Sequence, residues 1–142
     1  MPVLIVKGQP AGIQRILICT AGGEPGKSDV RGGGQLAQRV GADVTLLYVA
    51  RKLNMVSRFA RLHLERAAAT VRAMDVKAEI QIRSANKPVD GILAEAREGN
   101  YDLIVIGSHG PPSRSAFASD DVTLQTVAGA DRSVFVIPPG EY

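Results

Sequence analysis

The chain reads as an α/β protein built on a parallel sheet, and three observations carry that reading. Five apolar, strand-like runs alternate with four helix-like segments along its 142 residues, the order that gives parallel strands joined by crossover helices. One of those runs, Leu103 to Ile106, is apolar throughout and mostly β-branched, as a strand covered on both faces requires. Turn residues fall between the runs, with Gly41 after the first helical segment, Pro88 at the start of the third and Gly99-Asn100 at its end. Right-handed crossovers then place helices on both faces, an open three-layer sandwich around five parallel strands.

Taken in order, the strands span about Gln14–Thr20, Asp43–Val49, Ala78–Arg83, Asp102–Gly107 and Ser133–Ile137. The helices span about Ser28–Val40, Met55–Met74, Pro88–Gly99 and Asp120–Ala130. Gly32-Gly-Gly34 falls inside the first helix, at a cost of about 1 kcal/mol per glycine relative to alanine. Either that helix starts later or another backbone approaches it closely. The second helix carries Val56, Phe59, Ala60, Leu64, Ala67 and Val71 on a broad apolar face, with Arg58, Arg61, Arg66 and Arg72 largely elsewhere as a solvated basic strip. Pro88 suits a first helical turn with Asn86 as its cap, and Val89, Ile92, Leu93 and Ala96 form one apolar stripe.

The N-terminal patch Pro2-Val-Leu-Ile-Val-Lys-Gly8 echoes Ser133-Val-Phe-Val-Ile-Pro-Pro139 in length and pattern. An exposed apolar strand needs a partner. Val3–Val6 is therefore expected to pair with a sheet edge, in its own subunit or across a dimer.

Composition narrows the function. A chain of this length suits one domain, able to bury roughly 70% of its unfolded surface. The net charge is +3, with three Tyr, three Phe and no Trp; scattered basic residues without an aromatic platform speak against nucleic-acid binding. No apolar run reaches the ~18 residues of a membrane span. The lone Cys19 sits inside the apolar run Ile16–Thr20, a small buried hydrophobe that forms no internal disulfide and suits the cytoplasm. His63 has no partner at metal-ligand spacing.

Chemistry concentrates after the fourth strand. Gly107 and Gly110 allow a tight turn whose N–H groups can face a ligand, and in open α/β sheets ligands sit beyond the carboxyl ends of strands. The crevice between the first and fourth strand ends would be lined by Ala21, Gly22, Val49, Gly107, His109 and Gly110, with Asp120 and Asp121 at its rim. Ser108, His109 and Asp120 could suggest a nucleophile set, but adjacent residues rarely hold the required nucleophile–base geometry, and no catalytic residue is assigned. Ala21-Gly-Gly-Glu-Pro-Gly-Lys-Ser28 comes within one residue of a P-loop. Its first position is Ala, and no second strand ends in the aspartate that would hold Mg²⁺.

With these elements placed, the chain resembles the universal stress protein family over about Gln14 to Pro138. The residues carrying the likeness are Arg15-Ile-Leu-Ile, Gly41-Ala-Asp-Val-Thr-Leu-Leu-Tyr-Val49, Asp102-Leu-Ile-Val-Ile-Gly-Ser-His-Gly110 and Ser133-Val-Phe-Val-Ile137. The resemblance implies an adenine nucleotide alpha hydrolase-like architecture, with a strand-like extension over residues 1–12 and a family domain over 13–142. It further implies a homodimer through the last strand; the N-terminal strand, read above from its own pattern, is expected to join that contact or to make one of its own. Some members bind ATP through Gly-x-x-Gly, nine residues, then Gly-Ser or Gly-Thr. Here Gly107-Ser-His-Gly110 and the nine residues Pro111 to Ser119 are followed by Asp120-Asp121. The aspartate that ATP-binding members commonly carry after the first strand is replaced in Ala21-Gly-Gly23.

These departures have an electrostatic sign. A helix N-terminus favours an anion by about 0.3–1 kcal/mol, up to about 2 when protected, whereas two unit charges near 4 Å repel by about 4 kcal/mol at an effective dielectric of 20. Ser119 or Asp120 then caps the last helix and Asp121 complements its dipole, unless Mg²⁺ bridges both acids to a phosphate. The expected protein is a non-catalytic, cytoplasmic, dimeric stress-response domain acting through a partner or small ligand, without a cofactor and with weak or absent ATP binding. The alternative is a Mg²⁺-dependent binder of ATP or AMP in the same crevice.

Overall fold

The computed structural model describes residues 3–7, 12–20, 27–107 and 120–138. Strands β1 (Val3–Ile5), β2 (Arg15–Thr20), β3 (Asp43–Ala50), β4 (Ala78–Ser84), β5 (Leu103–Gly107) and β6 (Ser133–Ile137) form one six-stranded sheet in the order β1-β6-β5-β2-β3-β4. Helices α1 (Lys27–Val40), α2 (Arg58–Arg72), α3 (Pro88–Glu98) and α4 (Asp120–Gly129) connect the parallel strands, with a 3-10 turn, η1 (Leu53–Met55), ahead of α2. The α/β class read from the sequence is the one found. It differs by one strand: β1 adds to β6 in the antiparallel sense, while all other ladders are parallel.

Alternation along the strands divides the core in two. Ile16, Ile18, Val44, Leu46, Leu103 and Val105 pack with α1 and α2 on one face. Leu17, Cys19, Leu47, Ile104, Ile106 and Val134 pack with residues of α3 and α4 on the other. The central strands are covered on both sides, which is why β5 is buried at every position.

Helix α1 runs through its glycines. A Cβ on Gly33 would lie 2.6 Å from Ile18 Cδ1, and one on Gly32 would lie 2.6 Å from Ile137 Cδ1. Neither reading holds as stated: the helix begins at Lys27, and the groups that approach Gly32 and Gly33 are side chains of the sheet, not another backbone. The gain is a helix seated low over β2, β5 and β6.

Two local expectations need correction. The second helix starts at Arg58 behind a Ser57 cap whose side chain accepts from Ala60 N, after the 3-10 turn has broken the periodicity. Its buried stripe is Ala60, Leu64, Ala68 and Val71, and Phe59, about 100° away around the helix, is 75% exposed. The cap residue of α3 is Lys87 without a side-chain bond, so Asn86 does not cap it, although Pro88 does occupy the first turn.

The amino-terminal end of the sheet is fastened by polar contacts that leave the other end for function. Asp102 Oδ2 accepts from Gln14 N and Arg15 N, each at 2.9 Å, and the Arg15 guanidinium lies over the Tyr101 ring, 4.7 Å from its centroid. Arg132 Nη1 donates to the carbonyls of Ala96 and Tyr101 at 2.7 and 2.9 Å.

Candidate functional site

Strand order reverses between β2 and β5: the chain moves from β2 outward to β3 and β4, then returns to β5 and β6. Such a switch point opens a crevice at the carboxyl ends of the two strands. Residues Thr20 and Gly107 end those strands. Both continue the rows that face α1, Ile16–Ile18–Thr20 on β2 and Leu103–Val105–Gly107 on β5.

Over this point sits a carboxylate that the sequence reading did not single out. Asp29 lies in the first turn of α1 and is 5% exposed. A Cβ added to Gly107 would collide with both its oxygens and stand 2.6 Å from its Cγ. Gly107 is therefore glycine for a reason of space: the acid occupies the volume a side chain would need. The local signal was available, since Lys27-Ser-Asp29 places an acid where a helix opens after a strand. What the sequence could not show was that this turn leans on β5.

Further features lie at or beside the ends of these two strands. Among the described residues, Thr20 Oγ1 is a buried side-chain oxygen without a hydrogen-bond partner, which in a native interior marks a place for water or a ligand group. Thr123 Oγ1 donates to the Gly107 carbonyl at 2.7 Å and ties α4 to the end of β5. The Cys19 thiol is pushed well above its ordinary range by burial first, then by the charges of Asp29 and Glu95. This thiol stays protonated and is inert as a nucleophile.

The remaining predicted lining residues fall as follows. Gly107 stands at the switch point, as expected. Val49 is 6% exposed on β3, in the core under α3 on the sheet face away from α1. Asp120 and Asp121 are the first residues of α4, with side chains outside the described residues. Ala21, Gly22, His109 and Gly110 also lie outside them, as do Ser108 and most of the P-loop-like segment. Among the described residues, no group of three His, Cys, Asp or Glu side chains is placed to hold a metal ion. No described helix is long and apolar enough to cross a membrane.

Two helix ends share one theme, while α2 carries no acid in its first turn. In a parallel α/β layer the helix N-termini point to the carboxyl end of the sheet and favour anions there. Here α1 opens on Asp29 and α3 on Asp90 in their first turns, and α4 opens on Asp120-Asp121. The positive ends of α1 and α3 are thus answered by the chain's own acids.

The sequence comparison shows the family, and the solved structures share the fold. The pattern of the universal stress protein family matches residues 12–138. A universal stress protein solved in complex with cAMP superposes with a TM-score of 0.71 at 19% identity, covering 89% of this chain and 98% of that one. A Lactobacillus plantarum universal stress protein gives 0.69 at 22% identity, covering 90% and 99%. One from Archaeoglobus fulgidus gives 0.76 at 19% identity; 99% of this chain matches, and it spans 50% of that longer protein. None of the curated proteins matches in sequence.

Proposed function

This chain belongs to the universal stress protein family, and we propose that it is a non-catalytic member whose switch-point crevice takes a small ligand while holding a triphosphate weakly or not at all. It would serve the stress response through that ligand or through a partner, in the cytoplasm, where a lone thiol such as Cys19 stays reduced. One observation carries the reading: the Asp29 carboxylate packs against Gly107, the first glycine of the turn that would cradle phosphates. A negative charge there opposes each phosphate charge by about 4 kcal/mol at 4 Å and an effective dielectric of 20, more than the roughly 0.3–1 kcal/mol offered by a helix end. Asp120 and Asp121 add the same sign at the start of α4.

The second reading is an adenine-nucleotide binder using the same crevice with Mg²⁺, favoured by the neighbour solved with cAMP. The two readings differ in charge. A cyclic monophosphate bears one negative charge and leaves the ribose and base to be recognised, for which Thr20 Oγ1 offers an unsatisfied polar atom. The homodimer expected from the sequence would need β1 to leave the β6 edge, or would form along β1 itself.

A thermal-shift series with adenosine, cAMP, AMP and ATP, each with and without Mg²⁺, tests this. A bound ligand at a hundredfold excess over its Kd adds about 2.7 kcal/mol of stability. The proposal expects no shift with ATP. A shift with ATP that depends on Mg²⁺ would establish the second reading instead.

A further inference from the structure

The two helical layers carry opposite charge. Helices α1 and α2 pack on one face of the sheet, α3 and α4 on the other. Helix α1 has three basic residues to one acid and α2 four to one, whereas α3 has one to three and α4 none to two. The formal charges are thus +2 and +3 on one layer and −2 and −2 on the other, in a chain whose total is +3. A planar negative surface would draw the α1–α2 side toward itself and turn the α3–α4 side away.

The positive side is also apolar where α2 begins. Leu53 and Met55 on η1 and Phe59 and Leu62 on α2 are all exposed, the least of them, Leu62, by 45%. Single exposed apolar residues are ordinary on a soluble domain, but four large ones within ten residues form a patch. At about 100° per residue, Leu62 lies about 160° round the helix from the buried Ala60 and Leu64, with Phe59 about 60° from it. Arg58 and Arg66 fall one turn before and one turn after Leu62, each about 40° from it. Among the described residues, Arg58, Arg61 and Arg66 form no ion pair, whereas Arg72 is tied to the Ala78 carbonyl.

We propose that the outer face of η1 and α2 is a docking surface for an anionic membrane. Met55, Phe59 and Leu62 enter the boundary between headgroups and acyl chains, and Arg58, Arg61 and Arg66 lay their stems along them and meet lipid phosphates. Apolar tips on a convex helix suit a fluid surface, which closes around them. A folded protein would need a hollow matched to each, and an acidic peptide would leave the opposite charge of the α3–α4 layer without a role. The contact lies on the membrane and needs no spanning helix. It is independent of the crevice and its charge.

Flotation of the full chain with two kinds of vesicle tests it, phosphatidylcholine alone and phosphatidylcholine with phosphatidylglycerol in equal parts. The chain should bind only the anionic vesicles, and less as salt is added. One arginine near such a surface is worth about fivefold in binding. Arg66→Gln should therefore weaken binding about fivefold, and the combined Arg58→Gln, Arg61→Gln and Arg66→Gln change about a hundredfold. Arg97→Gln removes the same charge from α3 and should bind as the native chain does. Phe59→Ala with Leu62→Ala, shown folded by circular dichroism, should release the chain with every arginine in place. No binding to anionic vesicles, equal binding to both kinds, equal losses in Arg66→Gln and Arg97→Gln, or full binding without Phe59 and Leu62 would each overturn the proposal. Retention on polyglutamate by a chain that ignores the vesicles would also overturn it and assign the face to an acidic protein.

Discussion

Asp29 and Gly107 share one small volume, seventy-eight positions apart in sequence, with the acid's carboxylate where a side chain on the glycine would stand. While Asp29 stands there, position 107 has no room for a side chain. Gly107→Ala should therefore destabilise the fold by about 1–3 kcal/mol through overpacking. In an Asp29→Gly background the same change should cost far less, a coupling of about 0.5–3 kcal/mol between touching residues. Urea denaturation of the four proteins in this cycle measures it, and additivity of the two single changes would mean the contact is absent.

The phase of α2 makes a second prediction. Leu64 is 1% exposed within the α1–α2 core, whereas Phe59 is 75% exposed. Leu64→Ala should cost about 2–5 kcal/mol, and Phe59→Ala should stay within about 0.5 kcal/mol. Thermal melts of the two variants decide, and a large loss at Phe59 would show the helix turned the other way.

That phase also shows what was legible. β5 could be read at once, because a wholly apolar run entering a glycine turn has few other uses in a chain of this class. Ser133–Ile137 was read to the residue, bounded by charged residues on one side and prolines on the other. The face of α2 through Ala60, Leu64 and Val71 was legible as well, but not its edge: Phe59 was counted on it as an apolar residue, although it stands about 100° from Ala60 around the helix and is exposed. The position of β1 stayed open because backbone pairing at an edge leaves no local sign of which edge is taken. Gly107 was visible as the matching half of a motif, and the acids opening α4 as departures from it. Asp29 was not, because its role arises from how low α1 sits, and that depends on Gly32 and Gly33 meeting Ile137 and Ile18.

Alkaline pH should weaken the protein through Cys19. Burial, then Asp29 and Glu95, raise its pKa above the ordinary 9.0. Below about pH 9 the thiol is protonated in both states and its stabilisation is fully present. Above that, the unfolded chain releases the proton while the folded chain retains it, so stability falls as pH rises, by up to about 1.4 kcal/mol per pH unit. Tyr101, raised chiefly by burial, adds a fall of the same sign above its ordinary 10.0. Urea midpoints at pH 8, 9, 10 and 10.5 should decline, and Cys19→Ala should flatten the segment from 9 to 10. An unchanged slope in that variant would remove Cys19 from the account.

The central claim is that negative charge at the meeting of β2 and β5 sets which ligands this protein accepts. Isothermal titration calorimetry of adenosine, cAMP and MgATP against the native chain, Asp29→Asn and Asp120→Ala tests it most directly. The account predicts weaker binding as ligand charge rises, with ATP gaining about tenfold or more from Asp29→Asn, about 1.4 kcal/mol, while adenosine is unchanged. Micromolar MgATP binding by the native chain that is lost on Asp120→Ala or Asp29→Asn would contradict it, because the acids would then be holding the nucleotide's metal.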